Sequence, residues 1–325
     1  MAAQQLPFLP PQQAVPILAS QPPIEEEDLS RNGRRIVAEF RALQEGQECV
    51  ETCADHGPWL IFQLENNDYD QIMQFLDDHY EEIGAFVSQH VQFDYNPRLK
   101  RAVLRHSFNN LHAGFTERFT TAVSDRLSAI AQRPDYAGNI ASRIECYGRD
   151  AIGLSIPGHD IAVAAPDTQF GLDHAFFPGV VFEISYPWIS PAVHARARQY
   201  VRSGTGQIRV AVVFDIRYTP VESRRASFTV YRPFQTPGGW GSMRVVDDQP
   251  FRDESGQPVP NGDLNIELRD FSFDSFPMPN SWYLSFGQTA VRILSTDLAD
   301  ALDQAEEEQW GLVPSGSEEE SENDG

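Results

Sequence analysis

Hydrophobic spacing divides the chain into helical and extended stretches. Between Glu25 and Leu43, the residues Leu29, Ile36, Val37, Phe40 and Leu43 suit one helical face, and Ile72, Phe75, Leu76 and Ile83 do the same between Asp68 and Phe86. His112 to Ile130 is the clearest helix, with Phe115, Phe119, Val123, Leu127 and Ile130 recurring at helical spacing. Residues 190–204 predict a helix with Ser190 as N-cap, Pro191 at its first position and Gly204 closing it. A last helix is predicted over 295–309, capped by Ser295 or Thr296.

Extended segments fill the intervals. PWLIFQL (58–64) predicts a short strand, and 91–106 alternates about Asn96-Pro97 as a hairpin or two short strands. Strands are predicted over 142–149, 159–167, 179–186, 208–218 and 225–234, with shorter pieces near 242–246 and 263–270. The fold class is therefore α+β. The apolar strands on either side of the 190–204 helix are expected to pair in parallel through a crossover. No internal repeat is present.

One residue interrupts this pattern. Glu183 stands inside VVFEIS (180–185), a run otherwise suited to burial. An ionised carboxylate buried without a partner costs roughly several kcal/mol. The same alternation equally fits an edge strand that turns Glu183 to water. Sixteen residues earlier, Pro166-Asp167 ends HDIAVAAPD. If the two strands are neighbours, Asp167 and Glu183 converge, and a divalent cation would relieve their repulsion. Mg²⁺ takes such hard oxygen ligands and activates water for attack on a phosphodiester.

Composition bears on the setting and the partners. The net charge is −22, but residues 1–28 contribute four acids and 303–325 nine, with no Lys or Arg in either, leaving −9 between them. Lys100 is the sole lysine beside 24 arginines. Three cysteines suggest a reducing compartment, and no stretch reaches the ~18 apolar residues of a membrane span. The start, broken by prolines and lacking a basic region, does not suit a secretory signal. An intracellular protein, cytoplasmic or nuclear, is expected, with no membrane partner and an oligomeric state that the residues leave open. Residues 187–232 hold eight arginines against Asp215 and Glu222, so Arg196, Arg198, Arg202 and Arg209 are candidates for a nucleic-acid backbone. The acidic segment 303–325 would then be suited to mask them.

Pro166-Asp167, Glu183-Ile184-Ser185, a helix and IRVAVVFDI in that order resemble the PD-(D/E)XK restriction-endonuclease-like superfamily. More narrowly, LHAGFTERF (111–119), PDTQFG (166–171), PGVVFEISY (178–186), ARQYVRSGTGQIRVAVVFDIRY (197–218), SFTVYRP (227–233) and FRDESGQPVPNG (251–262) resemble a group of uncharacterised fungal proteins. The resemblance covers about residues 100–275. It implies a restriction-endonuclease-like, four-stranded mixed core sheet flanked by helices, with additional β strands towards the C-terminus. The corresponding division is a disordered Pro/Gln-rich tail (1–23), an N-terminal helical extension (24–99), a core domain (100–300) and an acidic tail (301–325) that should stay disordered and solvated. The resemblance also implies Mg²⁺ on Asp167, Glu183 and the carbonyl of Ile184.

The chain departs from the superfamily at Ser185, where the water-orienting lysine would stand, and after His112, where an extra helix acid is replaced by Ala113. Arg196 or Arg198 could supply the missing cation, though an arginine cannot act as a general base. His112 and Glu117 are candidates for a supporting shell. Two functional classes follow. One is a divalent-metal nuclease, catalytically reduced by the loss of its lysine; the other is a non-catalytic interaction module binding protein or nucleic acid.

Other groups carry weaker signals. Cys49, Cys53 and His56 offer three zinc ligands without a fourth, and packing or surface thiols suit them better. Asp215 is expected to pair with an arginine or lie near a strand end. His106 and His112 suit caps.

Overall fold

The computed structural model describes residues 22–47, 59–105, 110–186, 191–217, 223–271 and 289–311. The Cys49/Cys53/His56 set, His106, Ser190 and the segment 312–325 lie outside the described residues, as do residues 1–21.

The fold is α+β and holds seven α-helices among the described residues. A six-stranded mixed sheet forms the centre. Its outer strand on one side is β4 (Ile144–Cys146), followed by β7 (Thr168–Leu172), β8 (Val180–Ser185), β9 (Val210–Ile216), β10 (Ala226–Thr236) and β11 (Gly239–Arg252). All neighbours are antiparallel except β8 and β9, which run parallel and are joined through α6 (Pro191–Ser203), as the apolar runs on either side of that helix predict.

Side-chain alternation sets the two layers. Val180, Phe182 and Ile184 of β8 join Val210, Val212 and Phe214 of β9 in a core with Phe115 and Phe119 of α4 (Asn110–Ala131). Leu298, Leu302 and Ala305 of the last helix, α7 (Ser295–Gly311), complete that layer with the small sheet of β12 (Leu264–Glu267) and β13 (Ala290–Ile293). The opposite residues, Val181, Ala211 and Val213, pack under Val193, Ala197, Tyr200 and Val201 of α6. Glu183 belongs to this second face.

A second, five-stranded sheet was not anticipated. It consists of β1 (Trp59–Gln63), β3 (Arg101–Arg105), β2 (Gln92–Asn96), β6 (Ala162–Ala164) and β5 (Ile152–Leu154) in that order. Helices α1 (Arg31–Gln44), α2 (Asn66–Asp78) and α3 (Ala85–His90) cover it through Ile36, Phe40, Ile72 and Phe75. A boundary at residue 100 would cut the β2–β3 hairpin, so the segment before it does not stand apart as a helical extension. The helix read over 68–86 divides into α2 and α3 at a π-helical turn, Tyr80–Gly84. Helix α5 (Tyr136–Ala141) is capped by Asp135, whose side chain accepts from Gly138 N–H.

Candidate functional site

The carboxylates of Asp167 and Glu183 do converge, at the junction of the two sheets. Asp167 N–H donates to Phe182 O, which fixes the residue beside β8, and Ile184 N–H donates to Asp167 Oδ2 at 2.7 Å. Both side chains are 1% exposed, so the reading of Glu183 as an edge residue facing water does not hold. What Ile184 offers Asp167 is a backbone donor.

The charge that answers them is an arginine from β3. Arg105 Nη1 lies 3.3 Å from Glu183 Oε2 and 3.6 Å from Asp167 Oδ1, between the two acids, while its Nε lies 3.4 Å from Asp94 Oδ2 of β2. Arg105 Nη2 also donates to Ala165 O. From the other side Arg196 of α6 brings Nε to 2.7 Å from Glu183 Oε1 and both Nη atoms to Asp94. Tyr200, one turn along the same face of α6, donates its hydroxyl to Glu183 Oε1 at 2.8 Å. Gln92 Nε2 donates to Asp167 Oδ1 at 3.0 Å, and His112 Nε2 lies 3.3 Å from Asp167 Oδ2. The buried Nδ1 of His112 has no hydrogen-bond partner among the described residues.

Environment separates the two acids. Burial resists ionisation of Asp167, but His112, Arg105 and the Ile184 N–H outweigh it and hold the carboxyl far below the usual carboxylate range. For Glu183 burial prevails: its carboxyl is pushed up despite Arg196 and Arg105, with Asp167 adding repulsion. Burial also raises the Tyr200 phenol, which stays protonated and able to donate. Arg196, buried against Asp94 and Glu183, is held charged by them. Two guanidiniums therefore face three carboxylates. The cluster is neutral when one proton resides on Glu183 or His112.

The arrangement does not fit a divalent cation. Mg²⁺ needs an octahedron of oxygens, and the position between the acids belongs to a guanidinium. Among the described residues no group of three or more His, Cys, Asp or Glu side chains is placed to hold a metal ion.

The remaining candidates are spread out. Ser185 is buried opposite Asp215 in the β8–β9 register. Arg198 stands on the other side of α6 from Arg196, with its guanidinium over the Tyr231 ring at 5.9 Å, because two helical residues differ by about 200°. Arg196 itself is only 8% exposed, and its pairing with Asp94 and Glu183 removes it from any surface open to a polyanion. Glu117 is exposed, five residues beyond His112 on α4 and so turned away from the cluster. Lys100 occupies the β2–β3 turn, paired with Glu65 at 2.7 Å.

Asp215 lies near the end of β9, and the partner found for it is His194 Nε2 at 3.1 Å rather than an arginine. Four further arginines of the 187–232 segment are paired internally: Arg217 and Arg225 with Asp248, Arg232 with Asp270, and Arg224 with Asp303 and Glu306. The last two acids begin the acidic C-terminal stretch, so its helical part does meet one arginine of that segment.

Sequence reasoning missed Arg105, Asp94, Gln92 and Tyr200. Tyr200 had a signal, its i+4 spacing from Arg196 on the buried face of α6. No helix among the described residues is long and apolar enough to cross a membrane. No family model, curated protein or solved structure matches this chain.

Proposed function

We propose that this chain is a PD-(D/E)XK-like protein that has lost phosphodiester cleavage and works as a non-catalytic interaction module. The observation that carries the reading is Arg105 Nη1, placed between Asp167 and Glu183 where a nuclease would hold its metal. A permanently charged, non-ligating group at that point pairs with both acids and leaves them no role in activating water. The connectivity supports the family part of the reading. Strands β4, β7 and β8 form an antiparallel series, and α6 leads to a parallel β9, with Asp167 just before β7 and Glu183 in β8. Burial of the acids and the presence of Ser185 in place of a lysine favour a site kept for stability.

The test is cleavage. Full-length protein with Mg²⁺ or Mn²⁺ is incubated with supercoiled plasmid and with labelled single-stranded RNA, beside an Asp167→Ala/Glu183→Ala double variant. The expected result is no cleavage above the variant. Metal-dependent nicking by the native chain that the double variant lacks would overturn the proposal.

A further inference from the structure

Beyond Tyr231, which is the last residue of β10 to pair with β9, the β10–β11 hairpin continues as a two-stranded ribbon. Pairing there is regular, from Tyr231↔Arg244 to Thr236↔Gly239. Strand β11 is the outermost strand of the sheet, and among the described residues the bridge on its far side lies at its very end, where Arg252 meets Pro258 and Val259 N–H donates to Phe251 O. Most of its length is guarded in the ways exposed edges usually are. Register shifts interrupt it between Arg244 and Val246 and again beyond, Asp247 and Asp248 follow, and Pro250 cannot donate. On the other strand Pro233 blunts the ribbon edge. Gly239–Arg244 has none of these guards.

The two faces of this stretch differ. Towards α6, Trp240 covers Gly206, whose φ of +79° and lack of a side chain let the indole approach. On the same face Arg244 lies over the Tyr231 ring at 5.7 Å, and the ring is shared with Arg198 of α6 at 5.9 Å, one turn before the exposed Arg202. Asp247 pairs with Arg244 at 2.7 Å and fixes its position. In a chain with 47 acids, neither 191–214 nor 223–246 contains one, and the fold lays these two segments against each other. On the opposite face Phe234 and Met243 are 41% and 44% exposed.

Building on the interaction-module reading, we infer that the open edge of β11 over Gly239–Arg244 accepts an extended segment of another protein in which acidic and apolar residues alternate. Backbone pairing adds the segment as a seventh strand. Because side chains of a strand alternate between faces, its acids meet Arg244, Arg198 and Arg202 while its apolar residues cover Phe234 and Met243. A nucleic acid offers no strand to pair, and its charge would run past this short patch over a protein of net charge −22.

Fluorescence anisotropy of the full chain with two labelled twelve-residue peptides tests this. One alternates Glu and Val; the other has two of its valines replaced by proline to block strand pairing. The alternating peptide should bind at least ~10-fold more tightly than the proline peptide. Arg198→Glu/Arg202→Glu should weaken it by a similar ~10-fold while the chain still unfolds in a single cooperative thermal transition. Equal binding of the two peptides, no binding of either, or indifference to the charge reversal overturns the inference. So does tighter binding of a labelled oligonucleotide, or a dimer in light scattering that the alternating peptide fails to dissociate. Cleavage is read separately, so a chain that cuts nucleic acid yet binds the alternating peptide refutes the non-catalytic reading alone.

Discussion

Replacing Arg105 with methionine removes one cation from three buried acids while keeping most of the side-chain volume. At the 3.3 Å separation from Glu183, one unit-charge pair is worth about 5 kcal/mol at an effective dielectric of about 20, before the cost of desolvating the partners. Breaking a buried pair by deleting one member typically costs about 3–5 kcal/mol net, because the other charge stays uncompensated. Arg105→Met should therefore lose about 3–5 kcal/mol at neutral pH, where Asp94, Asp167 and Glu183 are left with Arg196 and His112.

The loss should depend on pH. Burial already raises the Glu183 carboxyl above its unfolded value, so the folded chain keeps a proton that the unfolded chain releases. Stability linked to this group is fully present below the unfolded pKa and is lost as pH rises through the folded one. Without Arg105 the pull towards the ionised form is weaker, and that window extends upward. Urea unfolding of both proteins at pH 5 and pH 8 should show the larger deficit at pH 8. A deficit under about 1 kcal/mol, the range of an exposed pair, would refute the reasoning, as would equal deficits at the two pH values.

Three further outcomes follow from the same contacts. Asp167→Asn should cost about 2–4 kcal/mol at pH 7. The Asp167 carboxyl is held low when folded, so its contribution is present above its unfolded pKa and fades as pH falls through the folded value; on acid titration the gap between the two proteins should begin to narrow only below about pH 4 and keep narrowing as pH falls further. Glu306→Ala should destabilise by about 3–5 kcal/mol and speed amide exchange in α7, because Arg252 is fully buried and bound by both Glu306 oxygens at 2.6 and 2.8 Å. Gly206→Ala should cost about 1–3 kcal/mol and change tryptophan emission, since φ at this residue is +79° and a methyl there would collide with Trp240.

The parts of the fold legible in the sequence are those with a long, one-sided pattern. Phe115, Phe119, Val123 and Leu127 mark α4 at helical spacing, and the unbroken apolar run of β9 announces a strand buried on both faces. The edge strand β11 was visible only near 242–246, because its bulges disturb the alternation that identifies a strand. Strand β13 and the short β5 are too brief to show a period.

At the site, Asp167 and Glu183 do meet, but not through the strand read over 159–167, which is β6 of the other sheet; β7, unread in the sequence, sets Asp167 beside β8, and Arg196 was a candidate on the intervening helix. Arg105 and Asp94 were not legible. In a half-buried strand a charged residue ordinarily faces water, and RAVLR and QFDYN read that way. Only the packing of the second sheet against the first turns these two side chains inward, across 78 residues of chain between Arg105 and Glu183.

The central claim is that a guanidinium takes the place of a metal between two buried acids. Thermal unfolding in 0–10 mM Mn²⁺, expressed as the concentrations of the titration, tests it most directly on the native chain and on Arg105→Ala. The native protein should show no Mn²⁺-dependent shift, and the variant, which lacks the cation between Asp167 and Glu183 and keeps only Arg196 and His112 beside them, should be stabilised as the metal is added. A saturable stabilisation of the native chain that Asp167→Ala abolishes would contradict it.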